Sequence, residues 1–152
     1  MKTLFTTLCL TLVIFLESGE EIFAKELWNA LKSGNHLVLI RHALAPGFGD
    51  PDHFNLKDCN TQRNLNDVGR HQSRKVGDLF RSNGIHSAVV KSSQWCRCLD
   101  TAKFLNLGKI SELPSLNSFF QHNEREKPQT DAIMGWIRDA PLDTPTVLVS
   151  HF

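Results

Sequence analysis

The chain has 152 residues, 41% of them hydrophobic and 22% charged, with a formal net charge of +1. That is enough apolar material for one ordinary globular domain, and it excludes a disordered body. So small a charge also argues against nucleic acid or a membrane surface as a partner held by bulk electrostatics.

The N-terminus stands apart. Met1-Lys2 precedes a stretch, Thr3 to Leu16, that is almost entirely apolar or Thr; polar Glu17 to Glu21 follows, then Ile22-Phe23-Ala24. A basic start, an apolar run too short to span a bilayer and a small residue at a plausible cut site describe a secretory signal peptide. We expect residues 1–24 to be removed on export, which leaves 25–152 as a periplasmic or secreted domain; the alternatives are an uncleaved anchor or a helix of the fold. Cleavage removes Lys2 together with Glu17, Glu20 and Glu21, so 17 basic and 16 acidic residues become 16 and 13, a net +3. The basic residues then matter as local anion ligands rather than as a patch. Cys9 leaves with the signal, and Cys59, Cys96 and Cys98 remain. In an oxidising compartment a bridge from Cys59 to Cys96 or Cys98 is expected. The Cys-x-Cys spacing lacks a second well-spaced pair for zinc, so no metal or cofactor is expected.

Lys25 to Lys32 carries Leu27, Trp28 and Leu31 and stops at Ser33-Gly34, which predicts a short amphipathic helix packed on the core. Leu37-Val38-Leu39-Ile40 follows, bounded downstream by Ala45-Pro46-Gly47-Phe48-Gly49-Asp50; it reads as a short central strand that delivers Arg41 and His42 into a loop. In open α/β sheets chemistry sits at the carboxyl ends of such strands. Residues 44–64 show no period, and long loops in compact domains are often functional. Asn66-Asp67 offers a helix N-cap, and Leu65, Val68, Gln72, Val76, Leu79 and Phe80 form one stripe up to Ser82-Asn83-Gly84. The basic residues Arg70, His71, Arg74 and Lys75 fall on the solvated face of that helix.

Ala88-Val89-Val90 predicts a second strand, with Ser93 as N-cap of a helix through Leu99, Ala102 and Leu105. Arg97 then sits in the first turn of a helix directly after a strand end, where backbone N–H groups already favour an anion. Ile110 to Leu116 reads as a third or edge strand, 117–129 as a polar loop, and Pro128 onward as a helix. Thr146-Val147-Leu148-Val149-Ser150-His151 repeats the opening pattern, an aliphatic strand that delivers a histidine. This alternation predicts a three-layer α/β/α fold around a mostly parallel sheet.

His42, His151, Arg41 and Arg97 would thus converge on one sheet edge. Phosphoryl transfer needs such a set: a neutral imidazole to attack phosphorus and cations to hold the equatorial oxygens. Arg63, in Thr61-Gln62-Arg63-Asn64, is a further candidate anion contact.

Segments in this order resemble the histidine phosphatase superfamily, the phosphoglycerate mutase-like fold. Leu39-Ile40-Arg41-His42-Ala43 resembles its Arg-His-Gly signature with Ala for Gly; Leu65 to Ser73 resembles Leu-Thr-x-x-Gly-x-x-Gln-Ala; Ser93 to Ala102 resembles Ser-x-x-x-Arg-Ala-x-x-Thr-Ala; and Val147 to His151 resembles the second-histidine strand. The resemblance implies an exported phosphatase with His42 as phosphorylated nucleophile and Arg41, Arg97 and His151 as the phosphate pocket, acting on a phosphorylated small molecule or phosphoprotein. Where many members carry a Glu that protonates the leaving group, Leu116-Asn117 is followed here by Ser118. Glu124 or Glu126 would have to reach in from the loop. Without such an acid, substrates with good leaving groups, such as phosphohistidine or acyl phosphates, are expected. Against the family pattern the domain is also expected to be C-terminally incomplete. A phosphomutase, a non-catalytic phosphate-ligand binder or an inactive truncated product are the alternatives.

Overall fold

The computed structural model describes residues 22–120 and 122–151. The expected signal segment and Cys9 lie outside them, except for 22–24, which open helix α1 (22–33). Trp28 and Leu31 of α1 pack on the core, with Trp28 edge-on to Phe80 at 5.2 Å between ring centroids. Leu27, expected beside them, lies at the margin of that stripe and is 57% exposed. The helix stops at Gly34, whose positive φ of 86° suits a residue without Cβ.

Four strands follow, β1 (Leu37–Arg41), β2 (Val89–Ser92), β3 (Ile110–Glu112) and β4 (Thr146–Ser150), all parallel in the order β1-β4-β2-β3. The strand expected to be central, β1, is therefore an edge strand among the described residues, and Leu39 on it is 50% exposed. The centre is β4, buried along its whole length between β1 and β2. Its alternation divides the core in two. Val147 and Val149 face α1, α2 (Asp67–Ser82) and α3 (Cys96–Leu105), whereas Leu148 faces Leu116 and Ile133 of α4 (Glu126–Asp139). This is the expected three-layer α/β/α arrangement.

Helix α2 begins as expected, with the Asn66 side chain accepting from the Gly69 N–H at 2.8 Å. Its buried face meets the predicted stripe only in part: Phe80 is buried and Val76 packs on the core, but Val68 and Leu79 are 61% and 51% exposed, and Gly69, Ser73 and Gly77 face inward instead. The small residues let neighbouring backbone come close. A Cβ at Gly69 would meet the Leu44 carbonyl oxygen at 2.1 Å, and one at Gly77 the Leu105 carbonyl oxygen at 2.2 Å. Helix α3 begins at Cys96 with Trp95 at the cap, not at Ser93, whose hydroxyl instead donates to Asn117 Oδ1 at 3.1 Å. The region read as a third strand shortens to β3 followed by a 3₁₀ turn, Pro114–Leu116, because proline closes the ladder.

The long 44–64 loop is tied down. Cys59 is bonded to Cys96, the first residue of α3, while Cys98 is free and buried. Gln62, 7% exposed, donates through Nε2 to the carbonyls of Asn55 and Leu56 and accepts from the Cys96 N–H at 2.9 Å. The start of α3 and the loop after β1 are in this way one construction.

Candidate active site

The carboxyl ends of β1 and β4 are adjacent, since Arg41 pairs with Ser150 in register. His42 and His151, the residues that follow, bring their rings to 5.3 Å between centroids. At His42 the Nδ1 lies 2.7 Å from the Ala43 carbonyl oxygen. A carbonyl only accepts, so Nδ1 carries the proton and Nε2 the lone pair. That Nε2 is buried and has no hydrogen-bond partner among the described residues. Burial, reinforced by the charges of Arg97, Arg41 and Arg63, lowers the His42 pKa to about 4 against the opposing pull of the Ala43 carbonyl. The ring is thus neutral at pH 7.

Arg97, in the first turn of α3, is 0% exposed. Its Nη1 donates to Asp50 Oδ1 at 2.7 Å and to the Arg63 carbonyl at 2.9 Å, and its Nη2 donates to Asp50 Oδ2 at 2.8 Å. Nη2 also donates to Nε2 of His151, which fixes that ring as an acceptor there. Desolvation first, then the Arg97 charge, pushes the His151 pKa down to about 3. The Nε of Arg97 is buried without a partner among the described residues.

Asp50 was legible in the sequence only as a loop residue, yet it is the counterion that allows Arg97 to be buried. It also accepts from the Arg63 N–H and the Trp95 indole, each at 3.0 Å. Although burial opposes its ionisation, the hydrogen bonds from Arg97, Arg63 and Trp95 hold its pKa at about 2. The only advance signal was physical: an arginine buried at a helix start needs a carboxylate, and the loop after β1 offers several.

Two cavities share the wall made by Arg41, Arg63 and Phe48. The first, about 710 Å³, contains Arg97, His151 and Trp95, and the second, about 830 Å³, is the one His42 lines. Arg41 is solvent-exposed at the end of β1. Arg63 donates to the carbonyls of Gly49, through Nε at 2.8 Å, and Ala45, through Nη1, so part of its donor set is spent within the loop. Ser118 lines the first cavity and its hydroxyl accepts from the Phe120 N–H at 3.1 Å. Glu124 turns instead to His122 and Arg125 on the surface, and Glu126 is exposed at the start of α4; neither lines a cavity described here.

No protein-family model and no curated protein sequence matches the chain. Solved structures do. A protein of Agrobacterium tumefaciens provisionally named phosphohistidine phosphatase SixA aligns with a TM-score of 0.51 at 20% identity, covering 76% of this chain and 67% of its own. One of Nakamurella multipartita with the same provisional name aligns with a TM-score of 0.51 at 23% identity, over 75% of this chain but 56% of its own. The product of a Mycobacterium tuberculosis open reading frame aligns with a TM-score of 0.53 at 20% identity, over 76% and 72% of the two chains. Together with the all-parallel β1-β4-β2-β3 sheet, these likenesses show that the chain has the phosphoglycerate mutase-like α/β fold.

Proposed function

We propose that the chain is a phosphatase of the histidine phosphatase type, which hydrolyses a phosphorylated small molecule or phosphoprotein through a phosphohistidine on Nε2 of His42. The observation that carries this reading is the buried, unpartnered lone pair at that atom, held in place by Nδ1 and kept neutral by burial. A phosphoryl group would satisfy both this lone pair and the orphaned Nε–H of Arg97, the first with phosphorus and the second with an oxygen. Arg41 and Arg63 supply further positive charge in the shared wall. His151 is a further partner for the transferred group, and water then attacks the phosphohistidine. Export belongs to the same proposal, supported by the Cys59–Cys96 bridge, since such bonds persist in oxidising compartments. The serine in place of the expected glutamate favours hydrolysis over a mutase reaction.

Mixing the protein with ³²P-labelled acetyl phosphate, followed by an alkaline denaturing quench that preserves N–P bonds, tests the reading. Wild type is expected to carry label and His42→Ala none. Phosphate binding with neither label nor turnover in wild type would leave a binding protein in its place.

A further inference from the structure

Beyond the phosphate pole, the first cavity is aromatic. Phe48, from the loop after β1, and Phe120, from the loop before α4, meet edge-on at 5.1 Å between centroids. Phe54 stacks on Trp95 at 5.3 Å with an interplanar angle of 21°, and Trp95 in turn touches the His151 ring. All of these rings line the cavity that Arg41, Arg63 and Arg97 enter. Phe48 is 86% exposed and Phe120 49%, an apolar cost on a surface with no core to join, which a flat ligand would relieve. The second observation is independent of the rings: among the described residues no glutamate lines this cavity, whose only carboxylates are those of Asp50 and Asp52 from the loop after β1. Ser118 occupies the expected position, Glu124 is turned to His122 and Arg125, and Asp50 is held by four donors.

The geometry points to small aryl phosphate monoesters as the substrate class, with the leaving ring seated among Phe48, Phe120, Phe54 and Trp95. This rests on the phosphatase reading above and specifies its substrate. The two observations converge chemically. A phenolic oxygen has a pKa of about 10, far below that of an alkyl alcohol oxygen, so it departs with its electron pair with much less need of an acid. The lone pair of His42 Nε2 forms the N–P bond as the P–O bond to the aryl oxygen breaks, and the aryloxide leaves. Water then attacks phosphorus, the N–P electrons return to Nε2, and the water's proton goes to the aryloxide, giving phosphate and a phenol. An in-line displacement places the leaving group away from the nucleophile. His42 itself lines the neighbouring cavity, not the aromatic one.

Steady-state kinetics with phenyl phosphate, glycerol phosphate and acetyl phosphate test this on the full chain. Phenyl phosphate is expected to exceed glycerol phosphate in kcat/KM by about a hundredfold. Because acetyl phosphate has a good leaving group and no ring, its comparison isolates the aromatic contact. In Phe48→Ala and in Phe120→Ala the ratio of phenyl to acetyl phosphate is expected to fall about tenfold. Phe48 is largely exposed and Phe120 about half exposed, and neither belongs to a core cluster, so their truncation leaves the core intact. Equal use of glycerol and phenyl phosphates, or an unchanged ratio in both variants, overturns the substrate class while the phosphoenzyme still forms. Preference for a phosphotyrosyl peptide over phenyl phosphate overturns the small-molecule part. Absence of label with every ester overturns the phosphatase reading itself.

Discussion

A histidine that is to attack phosphorus must hold its lone pair at working pH, and at His42 desolvation does this, with three arginine charges in support. The same burial has a consequence for stability. The unfolded chain binds a proton at this ring below about 6.5, the folded one only below about 4, so the unfolded state holds more protons between the two and stability falls as pH drops through that window. His151 extends the loss to about 3, and Asp50, lowered from 3.8 to about 2, adds to it below 3.8. An NMR titration of the His42 ring is expected to show a midpoint near 4, and acid unfolding to begin on the acid side of 6.5. A midpoint at 6.5 would mean that the ring is solvated and the lone pair contested. His42 stood out in the sequence because an Arg-His pair after an aliphatic run is awkward to bury. Asp50 did not, because the group that gives it meaning, Arg97, lies 47 residues further on and only the fold brings them together.

Helix α2 comes close to the backbone of α3 and of the β1 loop, and the approach depends on glycine. Gly77→Ala would put a methyl 2.2 Å from the Leu105 carbonyl oxygen, which is backbone and cannot swing aside. The helices must then separate, at a cost of about 1–3 kcal/mol, typical of overpacking. Urea denaturation of the variant beside wild type measures it; equal midpoints would show that α2 shifts freely. Gly135, with nothing within 4 Å of its built Cβ, is the control position. Helix and strand order, the N-cap at Asn66 and the strand that leads into His151 were legible from periodicity and turn residues. The buried face of α2 was legible only at Val76 and Phe80, because aliphatic spacing also marks Val68 and Leu79 whereas backbone proximity, invisible to hydropathy, selects Gly69 and Gly77. The edge position of β1 was equally hidden: an aliphatic run states that a strand is apolar, not how many neighbours it has.

At the scale of the whole molecule, the bond between Cys59 and Cys96 closes a loop with a sequence separation of 37 that includes Arg63 and all of α2. On chain-entropy grounds such a bridge contributes roughly 2–4 kcal/mol. The double variant Cys59→Ser, Cys96→Ser is expected to lose about that much in chemical denaturation. It should also turn over substrate more slowly, since the loop that carries Asp50 and Arg63 is no longer fastened to the start of α3. Unchanged stability and rate would show that the hydrogen bonds of Gln62 hold the loop unaided.

Cys98, two positions beyond Cys96, is 0% exposed, and burial raises its thiol pKa to about 12. Thiol–disulfide exchange proceeds through the thiolate, so in the folded chain this sulfur has neither the charge nor the access to attack the adjacent bond. The choice between the two possible partners of Cys59 is thereby locked once the sheet and α3 have formed, and mispairing belongs to the period of folding before Cys98 is covered.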